Sequence, residues 1–168
     1  MNSNIKYQII VDTREKDIKH IIDKFKENNI DYRSEKLKVG DYAIVDADGT
    51  TVDVVIERKA SLDELLQNLI DRNSLDEESQ CNRFHRELIK AEALGIRVIL
   101  LLENSNWYSD ILKHNYRSKV KPAAAKGLIV SLQAKYPNLS IVGIDKGEIA
   151  SYIYSVLYYS LREELKLI

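Results

Sequence analysis

Cysteine is almost missing from this chain: Cys81 is the only one. No internal disulfide can form, and a reducing compartment is the expected setting. Long hydrophobic runs are missing too. No apolar stretch approaches the roughly 20 residues that a membrane-spanning helix needs. The start, Met1-Asn2-Ser3-Asn4, lacks the basic-then-apolar pattern of a secretion signal. These absences point to the cytoplasm, or to the nucleoid if the source is prokaryotic. An excess of one charge is also absent. The 25 Lys and Arg face 26 Asp and Glu, for a net charge of −1. That argues against a strong, non-specific binder of polyanions. No glycine-rich Walker loop is present, which disfavours ATP use. No Gly-x-Ser-x-Gly elbow is present, which disfavours an acyl hydrolase. His20, His85 and His114 show no metal-ligand spacing and read as surface or packing residues. Cys81 has no helper nearby in sequence and reads as inert.

What is present suits one globular domain. The chain has 168 residues, 45% hydrophobic and 30% charged, enough for a sizeable core. Tyr7 to Val11 reads as a short buried strand. Ile18, Ile21, Ile22 and Phe25 then recur at helical spacing, so a helix is expected to about Asn28. Residues 32–38 look like a second strand. Tyr42 to Val45 and Val52 to Ile56 form an expected hairpin through Ala47-Asp48-Gly49-Thr50, where Asp-Gly is a strong turn signal. Ser61 and Glu64 match a capping box before a stripe of Leu62, Leu65, Leu66, Leu69 and Ile70. Residues 71–81 are polar and aperiodic, as in a surface loop. A helix is expected from about Asn82 to Leu94, stopped by Gly95. Val98 to Leu102 is a continuous apolar run, suited to a central strand covered on both faces. Glu103 to Lys121 reads as an irregular, mobile loop. Its Trp107, Tyr108, Lys113, His114, Arg117, Lys119 and Lys121 mix aromatics with cations, as single-strand-binding surfaces do, with an ordinary solvated loop as the plainer alternative. Pro122 opens another helix with Leu128, Ile129, Leu132 and Tyr136 as anchors, and Pro137 ends it. A last strand spans Leu139 to Ile144, and a last helix spans residues 147–165. Neither an internal repeat nor a linker interrupts this order. The expected fold is α/β: a mixed central sheet with helices on both faces.

Three blocks could carry chemistry. Gly40-Asp41-Tyr42 precedes the hairpin and Glu57-Arg58-Lys59 ends it. Alternate residues of a strand share a face, so Glu57 and Lys59 project together and Arg58 points away. Two carboxylates and an ammonium suit a magnesium ion and the water it activates, as phosphodiester hydrolysis requires. In that reading Asp41 and Glu57 ligate the metal and Lys59 orients or helps deprotonate the attacking water. The plain alternative is a pair of solvent-facing hairpin residues, since a Glu-x-Lys triplet alone is weak. The apolar run Val54-Val55-Ile56 leading into three charges brings the built site level with that alternative. The third block, Asp12-Thr13-Arg14-Glu15, sits where the first strand ends, a common place for ligand groups. From pattern alone it fits a helix N-terminus better. Tyr152, Tyr154, Tyr158 and Tyr159 crowd the last helix beside Ile149, Ile153, Val156 and Leu157. Such a helix is either packed in the core or shared with a partner subunit.

With Val11-Asp12-Thr13-Arg14-Glu15, Gly40-Asp41-Tyr42 and Glu57-Arg58-Lys59 in order, the chain resembles the nuclease domain of the XPF family. These are structure-specific DNA endonucleases with a restriction-endonuclease-like core, within the PD-(D/E)xK-like superfamily. The resemblance continues through Arg83-Phe84, Leu102-Glu103 and Pro137-Asn138-Leu139, nearly the whole chain. It implies that Asp41 and Glu57 are the metal ligands, with the Arg58 carbonyl alongside, and that Mg2+ is the cofactor with Mn2+ as a substitute. It implies that Lys59 assists the attacking water and that Asp12 and Glu15 complete the acidic cluster. Arg14 would contact DNA phosphate or brace the carboxylates, and Arg58 and Arg83 would contact DNA. Arg72 competes with Arg83 for its place. The family usually continues into a tandem helix-hairpin-helix module, and this chain ends at Ile168 without one. Either the module is in another protein, or this is a minimal standalone nuclease, or the sequence is a trimmed piece; a natural short protein is the expectation.

The sequence therefore leads to a Mg2+-dependent endodeoxyribonuclease of branched, flap or junction DNA. The resemblance implies a setting in DNA repair or recombination. DNA is the expected partner, with a homodimer or partner subunit possible through the Tyr-rich helix. Two alternatives stand beside this reading. One is a non-catalytic, nuclease-like DNA-binding or scaffold subunit. The other is a restriction- or recombination-type nuclease.

Overall fold

The computed structural model describes residues 6–71 and 82–166. The expected surface loop at residues 71–81, with Arg72 and Cys81, lies outside the described residues except for Asp71. Among the described residues, six strands and six α-helices make a mixed α/β fold. The chain divides into two compact units, Met1–Glu57 with Lys146–Ile168, and Arg58–Asp145.

In the first unit, β1 (Tyr7–Val11), α1 (Lys19–Glu27) and β2 (Tyr32–Ser34) form a β-α-β unit with parallel strands. On its other edge β1 pairs antiparallel with β3 (Tyr42–Asp46), Val11 opposite Tyr42 and Tyr7 opposite Asp46. β3 pairs antiparallel with β4 (Val54–Lys59) through Tyr42 and Ile56. The order is β2-β1-β3-β4. Ile9, Ile21, Phe25, Tyr42, Ile44 and Ile56 are fully buried, as the alternating and helical spacings demand. The Asp48-Gly49 turn forms as expected: the Asp46 side chain accepts from the Asp48 and Thr50 amides, and Gly49 takes φ +85°.

The last helix, α6 (Ile149–Lys166), packs on α1 and β3 of this unit. Ile149, Ile153, Leu157 and Leu161 recur every four residues along its buried face. Tyr154 and Tyr158 stack with ring centroids 5.3 Å apart, and both lie against Tyr7. Only Tyr159 among the helix's tyrosines is strongly exposed, at 55%.

The second unit takes Arg58 and Lys59 at the end of β4, together with β5 (Arg97–Leu102) and β6 (Leu139–Gly143). β5 and β6 run parallel, with Val98 opposite Leu139. Residues 98–102 are buried without a break, as expected for a strand covered on both faces. α2 (Leu62–Ile70), α3 (Arg83–Ala93) and α5 (Pro122–Lys135) are its longer helices. The Ser61 hydroxyl accepts from the Glu64 amide, as a capping box requires. The reciprocal bond differs from expectation: Glu64 accepts from the amide of Ala60, not of Ser61. Asn82 caps α3 by accepting from the His85 amide.

One element contradicts the expected mobile loop at 103–121. It contains α4 (Trp107–Leu112) and a dense set of local bonds. Asp110 accepts from Asn104 at 2.7 Å and from Asn115 at 2.9 Å, and Asp63 accepts from the Ser118 amide at 2.6 Å. Polar side chains hold much of this segment, and Ile111 of α4 is fully buried where the helix packs on α5.

Candidate active site

Gly40 sets the position of Asp41. It has φ +77°, a conformation that side chains disfavour, and a Cβ there would meet Val55 Cβ at 2.9 Å. With glycine in place, the Asp41 amide donates to the Ile56 carbonyl at 2.7 Å, and the Asp41 carbonyl accepts from the Asp12 amide at 2.8 Å. Tyr42 pairs with Ile56 in the antiparallel ladder. Asp41 and Glu57 therefore stand one residue beyond that pair, at the same end of neighbouring strands. Glu57 is buried, at 8% exposure.

Asp12 has a different environment from the helix N-terminus that its pattern suggested. α1 begins only at Lys19, with Ile18 as its N-cap. The Asp12 side chain is fully buried and gathers donors instead. Oδ1 accepts from the Arg14 amide at 2.8 Å and from Arg14 Nε at 2.7 Å. Oδ2 accepts from the Leu37 amide at 2.6 Å and from Arg14 Nη2 at 3.1 Å. Burial pushes the Asp12 carboxyl up, but the Arg14 and Leu37 hydrogen bonds and the Arg14 charge outweigh it and hold it below the ordinary carboxylate value. Arg14 also reaches the Leu37 carbonyl at 3.3 Å, so it braces a carboxylate. Glu15 accepts from the Tyr42 hydroxyl at 3.1 Å. The first unit thus brings Asp12, Glu15, Asp41 and Glu57 to the ends of β1, β3 and β4.

The second unit holds the basic residues. Along β4, Arg58 and Lys59 are buried at 4% and 6% exposure. Their partners separate as strand alternation requires. Arg58 Nε lies 3.3 Å from Glu103 Oε1, and both side chains are buried. The Glu103 amide donates to the Lys59 carbonyl at 3.0 Å, which registers Glu103 beside β4. Lys59 Nζ lies 3.9 Å from Glu64 and 5.3 Å from the Phe84 ring centroid, a cation–π distance. Arg58, expected among the DNA contacts, is thus turned inward to Glu103. Arg83 is exposed and pairs with Glu87 at 3.3 Å on α3.

Three of these partners were not legible in the sequence. Glu103 belongs to the site because it neutralises Arg58, yet nothing local links the two. Glu64 serves both the α2 cap and Lys59. Phe84 enters the sequence reading only within the Arg83-Phe84 block of the resemblance. The histidines behave as packing or surface groups. His85 Nδ1 lies 2.9 Å from the Tyr136 hydroxyl, and burial followed by the Lys135 charge lowers its pKa.

Asp41 and Glu57 are oxygen donors of the kind a hard divalent cation takes, and magnesium commonly uses one or two carboxylates with water and phosphate completing its shell. The residues present fit such an ion. Among the described residues, no group of three or more His, Cys, Asp or Glu side chains is arranged as a fuller metal cage.

Comparison with known proteins agrees with this frame. A family model described as "ERCC4 domain" matches residues 11–156. Two solved structures of XPF from Aeropyrum pernix, one of them a complex with DNA, are similar at TM-score 0.63 and 17% identity. The matches cover 95% and 94% of this chain, and 68% and 66% of those chains. They share the fold. No curated protein sequence matches.

Proposed function

The chain belongs to the ERCC4 domain family, and from that premise we propose that it is a metal-dependent DNA endonuclease acting at branched, flap or junction DNA. One observation carries the reading. β4 buries three consecutive ionisable residues, Glu57, Arg58 and Lys59. Burying charge is costly, and a chain rarely places three such groups inside without using them. Asp41 stands beside Glu57 because Gly40 accepts a strained backbone. The Aeropyrum pernix relative in complex with DNA supports DNA as the substrate class.

In this proposal Asp41 and Glu57 hold Mg2+ or Mn2+, with the Arg58 carbonyl as a further oxygen donor. When bound, the ion supplies charge neutralisation at the phosphate and a more acidic water. Lys59 Nζ donates to the attacking water or to a non-bridging phosphate oxygen and so positions it. The Glu64 and Phe84 contacts limit its rotamers, so the ammonium is pre-positioned. Glu15 completes the acidic group. Asp12 and Arg14 hold the Leu37 segment against β1. Arg14 and Arg83, both exposed, would contact the DNA backbone. The exposed part of α6 around Tyr159, with Arg162 5.5 Å from its ring, is the place for a second copy or a partner subunit. A repair or recombination setting is part of the same proposal.

A second reading draws on Asp12. Its oxygens already accept from Arg14 and Leu37, as in a structural bracket, and a non-catalytic DNA-binding subunit would need no more. Thermal unfolding with Mg2+ and with chelator separates the two. A metal site raises stability by about 2.7 kcal/mol at a hundredfold excess of ion over its Kd. Asp41→Ala or Glu57→Ala should remove that increment. Equal stability of the wild type with ion and with chelator would favour the scaffold.

A further inference from the structure

The segment between β5 and α5 is not used by the chemistry above. Residues 113–121 contain Lys113, Arg117, Lys119 and Lys121 and no acid, in a chain whose total charge is −1. All four cations are exposed. The segment also carries rings. Tyr108 is 47% exposed and meets Trp107 edge-on at 5.6 Å. His114 and Tyr116 lie with ring centroids 4.5 Å apart.

The segment is also held in shape. His114 takes φ +54° and its Nε2 lies 3.0 Å from the Ser118 carbonyl. The Tyr116 hydroxyl donates to the Val120 carbonyl at 2.7 Å. Asp63 anchors the middle by accepting from the Ser118 amide and pairing with Arg117 at 3.6 Å. Trp107 is fixed at the other end by Gly143 of β6. A Cβ at Gly143 would sit 2.5 Å from Trp107 Cδ1, so only glycine leaves room for the indole. A surface that is already ordered loses little conformational entropy on binding.

We infer that this segment is a contact surface for single-stranded DNA, with Lys113, Lys119 and Lys121 on phosphates and Tyr108 stacking on a base. The inference rests on the DNA-nuclease reading and gives that enzyme a hold on the unpaired arm of a junction. Charge complementarity favours a polyanion over an apolar partner here. Exposed rings among the cations favour unpaired bases over duplex, because a base in a stacked duplex does not offer its face.

The test is fluorescence anisotropy of a labelled oligothymidylate with the full chain in chelator, so that binding is read apart from cleavage. Between about 50 and 200 mM salt, the slope of log affinity against log salt should flatten by about 2 in the Lys113→Ala/Lys119→Ala/Lys121→Ala variant, near 0.7 per lost phosphate contact. Tyr108→Ala should weaken binding about 5- to 150-fold, the range one stacked base supports. Circular dichroism checks that both variants fold. An unchanged slope and affinity in both variants would overturn the surface, as would wild-type protein that fails to bind the oligonucleotide. Duplex bound as tightly, with the same loss in the variants, would overturn the single-strand assignment. Cleavage by wild type and the triple variant alike, with no oligonucleotide binding, would reject this surface and leave the nuclease standing. Variant-sensitive binding by a protein that never cuts would reject the nuclease and leave the surface.

Discussion

Arg58→Met should destabilise the protein far more than an ordinary surface change. The substitution keeps an unbranched stem and removes the guanidinium. Glu103 would then keep a buried carboxylate without the cation 3.3 Å away. Its side chain is only 3% exposed, so water cannot substitute freely. Removing one partner of a buried ion pair costs about 3–5 kcal/mol. Glu103→Leu alone should also destabilise, because it removes the carboxylate 3.3 Å from the buried Arg58 Nε. The double variant, Arg58→Met with Glu103→Leu, should recover most of the loss, since two apolar groups need no pairing. Urea unfolding at neutral pH, followed by circular dichroism, measures all four states of this cycle. The coupling should exceed about 2 kcal/mol, well above the 0.3–0.5 kcal/mol expected of independent sites. Single-variant losses below about 0.5 kcal/mol, or losses that simply add, would refute the idea that the pair is a buried unit. They would also return Arg58 to the role of a DNA contact.

Further predictions concern the acids, the glycine and the lysine. Asp12→Asn should cost about 1.5–3 kcal/mol at neutral pH, the range for hydrogen bonds to a charged group. Because the folded carboxyl sits below its unfolded value, the wild-type advantage is present above about pH 4 and is lost as pH falls through the lowered folded value. Acid titration of both proteins should therefore show the gap closing, and a gap that widens on acidification would contradict the sign. Gly40→Ala should destabilise by more than about 1 kcal/mol, since it combines positive φ with a close contact to Val55. It should also lower cleavage, because it moves Asp41; a fully active, fully stable variant would contradict this. Lys59→Met should cut cleavage about 100- to 1000-fold, as for loss of one pre-positioned donor, while stabilisation by Mg2+ persists. Loss of the metal-linked stabilisation in that variant would show that Lys59 acts through the carboxylates instead.

The elements were legible where apolar spacing was regular. Tyr7–Val11 matches its expected bounds, and the Leu stripe of α2 and the unbroken run of β5 required no tertiary information. α4 was not legible, because Ile111 is its one buried residue and Asn104, Asp110 and Asn115 supply polar bonds, so no apolar period shows. The strand expected at 32–38 shortens to Tyr32–Ser34, because Leu37 turns its amide to Asp12 instead of to a ladder. The candidate site was legible as residue types and spacing, Gly40-Asp41 and Glu57-Arg58-Lys59. Its pairings were not. Arg58 with Glu103 and Asp12 with Leu37 join residues far apart in sequence, and any acid or amide could have filled those places. The resemblance to the XPF family supplied roles that spacing alone left open, and the family match over residues 11–156 agrees with it.

Cleavage of end-labelled DNA tests the central claim most directly. The substrates are linear duplex, flap, splayed arm and single strand, each with Mg2+, with Mn2+ and with chelator, for wild type and Asp41→Ala. The account predicts metal-dependent cutting at the junctions by wild type, none in chelator, and none by the variant with its fold intact. Undiminished cutting by Asp41→Ala, or no cutting by folded wild type with either metal, would contradict it.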